Sequence, residues 1–288
     1  MAADVPVQSN RVAPRIAGPG MRPRRAVATA RRLFQSHRRA VRGLYSVVLA
    51  LVAWEVVGRY VVTSKLMFAP FSRVIVEFGR LWMSGELEHH MLVSFSALAM
   101  GFAIAAAVGI AIGSLIAVSP AVGEHIDPLI NALYATPLIA LSPILIMAFG
   151  IGPASKVAIV FLLCVFPILI NTTSGIRSAD DGLVEAARSF SASRGEIFRL
   201  VLLPSALPFI VAGLRIAMGR GLVGIFIGEL FGARAGLGYL ISISGQTFDI
   251  PAMFVGVLVL AVAGVVSVAA LEYLERRIAP WRHFDLKA

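Results

Sequence analysis

Six long apolar runs follow a basic tail. They cover residues 44–62, 92–118, 127–149, 155–171, 205–231 and 252–274, and each approaches the ~20 apolar residues that cross a bilayer as a helix. The pattern predicts an all-α, polytopic membrane helical bundle of about six transmembrane helices. Pro128, Pro137 and Pro143 interrupt the third run and Pro167 the fourth, so both are expected to be broken. Proline within a span is tolerated where neighbouring helices satisfy the freed carbonyls. Such irregular helices line cavities about as often as they mark plain packing kinks.

Composition agrees with the pattern. The 288 residues are 58% hydrophobic and 15% charged, with a mean hydropathy of +0.84, against ~45–50% and ~25% in soluble domains. That excludes an ordinary soluble enzyme and a disordered chain. The net charge of +10 would suit a nucleic-acid partner, but its location argues otherwise. Residues 1–42 hold ten arginines and a single acid, Asp4, among scattered Pro and Gly, and the rest of the chain is nearly neutral. The tail runs directly into an apolar segment and lacks the aromatic residues on which bases stack. It reads as a disordered, membrane-proximal tail suited to anionic lipid, with no nucleic acid involved. Six spans put both ends on one side. With the tail inside, the cytoplasmic segments hold 18 Lys and Arg against 5 opposite, as the positive-inside rule requires. The apolar run after Arg42 is longer than a signal-peptide core and reads as a retained first span. Cys164 is the single cysteine and reads as a buried, inert thiol. The domain reading is a basic tail at 1–43, a membrane-spanning body at 44–282 and a short C-terminal tail at 283–288.

Small residues recur at four-residue steps: Gly101, Ala105, Gly109 and Gly113 in the second span, and Gly224, Gly228 and Gly232 in the fifth. Such faces let membrane helices approach closely, either within one bundle or between subunits. Charges within spans are rare and mark function or pairing. Glu55 and Arg59 have i,i+4 spacing and can pair with each other. Arg220 falls near the middle of the fifth span and Arg215 nearer its cytoplasmic end. Either can line a pathway for an anion, or pair with a carboxylate such as Glu229 or Glu55. Asn131, Thr136 and Ser142 are further lining candidates.

The 172–204 loop is amphipathic. Asp180 and Asp181 precede an i, i+3, i+4, i+7 stripe of Leu183, Ala186, Ala187 and Phe190. Ser193 and Glu196 have capping-box spacing, and Pro204 closes the segment. The loop predicts two short helices joined by a bend. Glu185-Ala186-Ala187, Ser191 and Val201-Leu202-Leu203-Pro204 resemble the EAA loop of ATP-binding-cassette importer permeases, with Ser191 where that pattern carries Gly. Leu207-Pro208, Gly213-Leu214-Arg215, Glu229, Gly236-Leu237-Gly238 and Leu274-Glu275-Arg276-Arg277 extend the likeness to the nitrate, sulfonate and taurine branch, over roughly residues 44–282.

The resemblance implies a type I importer permease in a bacterial inner membrane, paired as a homodimer and importing a small, anionic solute. An extracytoplasmic binding protein would deliver that solute. A cytoplasmic ATPase dimer would dock on Glu185, Ala186, Ala187, Ser191, Leu203 and Pro204, with ATP and Mg²⁺ bound in that partner. If the Gly position needs a positive φ, Ser191 is a poor fit. By the same likeness the 232–251 segment lies near the outer gate or the binding-protein dock. The chain itself holds no phosphate loop, since Gly152-Pro153-Ala154-Ser155-Lys156 has the wrong spacing, and it is expected to be no enzyme and to hold no cofactor or metal. His89-His90 reads as a solvated pair on a loop. The rival reading is an ATP-independent secondary transporter or channel, which predicts inverted repeats that the sequence does not display.

Overall fold

The computed structural model describes residues 45–62 and 67–278, and the basic tail and C-terminal segment lie outside the described residues. Two compact units divide the chain after Trp54. The described part of the first is helical, and helix α1 (residues 45–56) carries on past the boundary. The second unit is all helix apart from its connections, with no strand among the described residues. A π-turn at Val57–Val61 is followed by α2 (Phe71–Met83), α3 (Glu86–Val118), α4 (Pro120–Ala135) and α5 (Ser142–Phe149). Then come α6 (Pro153–Arg177), α7 (Asp181–Ser189), α8 (Arg194–Ile197), α9 (Leu203–Gly232), α10 (Leu237–Gln246) and α11 (Ile250–Ile278).

Among the described residues, four helices are long and apolar enough to cross a membrane, and α4 with the following Leu138–Phe149 segment makes a fifth only as a pair bent by 83°. The third predicted span is therefore not one straight helix. Thr136 precedes Pro137, and the proline ring disfavours helical backbone there. Thr136 is extended at φ −72°, ψ 145°. Pro128, in contrast, stays inside α4. Pro167 also leaves α6 intact, so the fourth span is continuous where a break was expected. The second span begins at Glu86 rather than near 92. Its 33 residues reach ~50 Å at ~1.5 Å each, so it projects beyond the bilayer core. His89 and His90 accordingly lie on a helix, not on a loop, and His90 is buried.

Helix α6 is the axis of the fold, packed along its length between α3 and α9. Its most apolar stretch is 61% buried, against 11% for α11. Close approach depends on the small residues. A methyl group at Gly101 would fall 2.7 Å from Val160, and one at Gly113 2.7 Å from the Leu169 carbonyl. Gly109 faces Val165 and Ile168, Gly224 faces Leu163, and Gly228 faces Ile159 and Lys156. These five glycines thus all face α6 of the same chain. At Gly113 the approach also lets Thr173 Oγ1 donate to the glycine carbonyl at 3.0 Å, a helix-to-helix bond beside a largely aliphatic core.

Candidate functional site

The loop between α6 and α9 begins with α7, capped by Asp180, whose side chain accepts from the Gly182 N–H at 2.7 Å. Asp181 sits in its first turn and Arg188 in its last, matching the helix dipole at both ends. α7 ends in a Schellman turn: the Ala192 N–H bonds the Ala187 carbonyl at 3.1 Å and the Ser191 N–H the Arg188 carbonyl at 2.8 Å. That geometry puts the intervening residue in the left-handed region, and Ser191 occupies it at φ 59°. The position does require a positive φ, and serine adopts it, so the bend is as sharp as a glycine would make it. The Ser193–Glu196 capping box then starts α8.

The second short helix does not stop at Pro204. It passes through a π-turn at Phe198–Leu202 into α9, giving one helix from Arg194 to Phe231. A proline lacks the N–H that would bond the carbonyl four residues back and crowds that carbonyl. Widening the preceding turn accommodates it, and Ser205 Oγ donates to the Val201 carbonyl at 2.8 Å. The loop's apolar face is unfilled: Leu183 is 56% exposed and Phe190 88%. Glu185 and Ala186 are exposed beside them, Ala187 is half-buried, and Leu203 and Pro204 lie half-buried at the foot of α9.

Of the five pathway candidates, the structure brings Thr136 and Arg220 together, while Ser142 is buried with its Oγ donating to the Ile139 carbonyl at 2.7 Å. A cavity of about 550 Å³ between the α4–α5 bend and α9 is lined by Tyr134, Thr136, Leu138, Leu163 and Arg220, among others. Arg220 Nη2 donates to Tyr134 Oη at 2.8 Å, and the guanidinium carbon stands 4.6 Å from that ring's centroid. No carboxylate pairs with Arg220 among the described residues. Thr136 Oγ1 donates back to the Ala132 carbonyl. Arg215 lies apart: it pairs with Glu275 at 2.5 Å and reaches Glu272 at 3.8 Å, which ties α9 to the end of α11. Asn131 is exposed and does not line the cavity. Neither arginine pairs with Glu229 or Glu55; Glu55 is held by Arg59 and by the backbone N–H and hydroxyl of Ser72.

Glu229 belongs to a cluster that sequence reasoning missed. Its carboxylate, 1% exposed, meets Lys156 Nζ at 3.1 Å, accepts from Ser94 Oγ at 2.8 Å and accepts from the Gly238 N–H at 2.8 Å. Lys156 Nζ also donates to the Ala235 carbonyl at 2.7 Å. Ser94 accepts from the Leu237 N–H, and His90 Nδ1 from the Gly236 N–H at 3.0 Å. Three spans and the turn into α10 are joined there, and Gly236 has room for no side chain: a Cβ would fall 2.1 Å from the carboxylate. The available signal was Glu229 itself, an acid in an apolar span that needed a base. Lys156 supplies it from the first turn of α6.

Comparison with known proteins decides the family. Residues 109–280, more than half of the chain, match the family described as binding-protein-dependent transport system inner membrane component. The chain belongs to that family. Among similar members, the putative aliphatic sulfonates transport permease protein SsuC of Bacillus subtilis is 32% identical over 243 residues, covering 84% of this chain and 88% of that one. The taurine transport system permease protein TauC of Escherichia coli is 28% identical, covering 85% and 90%. The formylaminopyrimidine transport permease protein ThiX of Halalkalibacterium halodurans is 31% identical, covering 82% and 93%. In fold, the chain is similar to a solved inward-facing structure of the MetNI methionine ABC transporter, with a TM-score of 0.56 at 20% identity, over 74% of this chain and 99% of that one. A solved amino acid ABC transporter gives a TM-score of 0.52 at 19% identity. The chain is a multi-pass membrane permease subunit of an ABC importer. The α7–α9 loop, the Arg220 cavity and Glu229 all fall inside the matched stretch of this permease.

Proposed function

We propose that this permease works as a homodimer in an ATP-driven importer for a small organic anion with an apolar body, of the aliphatic sulfonate kind. One observation carries the reading of the solute: a guanidinium without a carboxylate partner among the described residues, held over Tyr134 in a cavity whose other walls are mainly apolar. A charge inside a span is costly, and an arriving anion would balance it while the Leu138, Ile139, Leu163 and Val223 side chains take an alkyl group. The names of SsuC and TauC point to the same chemistry. A cytoplasmic ATPase dimer docks on residues 181–204, a reading supported by the rigid capped α7 and the uncovered Leu183 and Phe190. An extracytoplasmic binding protein delivers the solute, both termini are cytoplasmic, and the basic 1–43 tail lies against anionic lipid. ATP and Mg²⁺ act in the partner ATPase.

Uptake of radiolabelled butanesulfonate by the assembled transporter tests the reading. A charge-assisted hydrogen bond contributes ~1.5–3 kcal/mol, so Arg220→Gln is expected to lower uptake at limiting solute by roughly 10- to 100-fold. Unchanged uptake by an assembled Arg220→Gln transporter would overturn it.

A further inference from the structure

The loop and the Arg220 cavity are joined by a route through α4. Arg177 is the last residue of α6 and stands immediately before the connection to α7. Its Nη1 donates to Asp127 Oδ2 of α4 at 2.8 Å, and its Nη2 to the Ile116 carbonyl at the end of α3 at 3.4 Å. That carbonyl is among the last four of its helix, which have no intrahelical donor. One guanidinium therefore fastens the root of the loop to two other helices. Gly123 makes the space: a Cβ there would fall 2.5 Å from Arg177 Nη2.

The same helix carries the cavity contact. Asp127 and Tyr134 are seven residues apart on α4, which continues as helix between them. Seven residues are close to two turns, so the two side chains leave the same face ~10 Å apart. Asp127 holds the arginine beside the loop, and Tyr134 holds Arg220 in the cavity. After Tyr134 the helix ends at Ala135 and the chain bends at Pro137. A displacement of α4 therefore moves Tyr134 directly.

We propose that the Asp127–Arg177 ion pair is the positioning link that carries movement of the α6–α7 connection along α4 to the Tyr134–Arg220 contact, a proposal that rests on reading the loop as the ATPase dock. Asp127 and Arg177 touch no solute. They set where Tyr134 holds Arg220 as the ATPases close, and so join ATP binding to the shape of the cavity.

The test uses the full transporter with its ATPase, labelled with spin probes at Ile139 and Val223 on opposite walls of the cavity. The probe separation is measured with and without trapped ATP, beside butanesulfonate import per ATP hydrolysed. The wild-type separation is expected to change on trapping. Asp127→Asn and Arg177→Gln are expected to keep the ATPase bound, to lose most of that change and to lower import per ATP roughly tenfold. Gly123→Ala, which displaces the guanidinium without removing a charge, acts in the same direction. The exchange Asp127→Arg with Arg177→Asp restores most of the change. Asp127→Asn combined with Tyr134→Phe is no worse than the poorer single variant, because the two act in series. An unchanged separation in the wild type, single variants that respond like the wild type, an exchange that recovers nothing, or multiplying effects in the double variant each overturn the link. Failure of the wild-type permease to retain an ATPase overturns the docking reading instead.

Discussion

Replacing Lys156 by methionine removes the ammonium and keeps the length and most of the apolar volume of the side chain. The lysine is 4% exposed, and its nitrogen serves both Glu229 and the Ala235 carbonyl. Taking one partner from a buried ion pair destabilises by ~3–5 kcal/mol, because the other charge is left without its counterion. Glu229 retains the Ser94 hydroxyl and the Gly238 N–H, which places the loss at the low end, ~3 kcal/mol. For a domain of this size that is an apparent midpoint lowered by roughly 6–12 °C. Detergent-solubilised protein heated at one fixed rate, with the monodisperse fraction read by size-exclusion chromatography, measures it. Removing both charges, as Lys156→Met with Glu229→Met, is expected to recover at least half of the loss, since no orphan charge stays buried. A Lys156→Met midpoint within ~2 °C of the wild type, or a double variant as low as the two singles added together, would refute the reasoning.

The remaining predictions follow from the same contacts. Arg215→Gln is expected to leave the butanesulfonate concentration for half-maximal uptake unchanged and to lower the thermal midpoint, while Arg220→Gln raises that concentration roughly tenfold or more; equal effects on uptake would contradict the placement of Arg215 against Glu275. Ser191→Gly relieves a left-handed residue that costs ~1–2 kcal/mol, less the entropy that glycine adds to the unfolded loop. Hydrogen exchange of the 186–193 amides is accordingly expected to slow or stay level, whereas Ser191→Val speeds it. Gly101→Val forces a branched side chain against Val157 and Val160 and is expected to cost a few kcal/mol by overpacking, read as loss of the folded fraction in detergent.

How much of this was legible in the sequence depends on the range of the interactions involved. The apolar runs, the caps of α7 and α8 and the bend at Ser191 are set by neighbours within a few residues, so periodicity and turn chemistry locate them. The break at Pro137 follows from one residue's effect on the one before it. Pro128 and Pro167 carry the same local signal and stay inside their helices, α6 being packed on both sides by α3 and α9. The Glu229 cluster joins residues 73 and 135 positions apart. Only the α3–α6–α9 packing brings them together, and no local pattern announces it. The separation of Arg215 from Arg220 is of the same kind. Both are arginines in one apolar helix, and what distinguishes them is that Glu275 and Tyr134 come from different parts of the chain.

The two ends of α6 differ in a way that bears on which of them moves. Lys156 and Arg177 are 21 positions apart in the sequence, or ~32 Å along the helix, close to the ~30 Å thickness of a bilayer core. At the Lys156 end the ions are almost wholly buried, each held by further hydrogen bonds, and separating them exposes an unpaired charge at a cost of several kcal/mol. At the Arg177 end the pair is half exposed, 44% for the arginine and 35% for the aspartate. Water can replace either partner there, and such pairs contribute only ~0–1 kcal/mol. The Glu229 end therefore resists separation more strongly than the Arg177 end does. The loop that receives the push in the proposed cycle, residues 181–204, is attached at that pliant end. The turn into α10 is attached at the stiff one, where Glu229 joins α3, α6 and the Gly238 N–H.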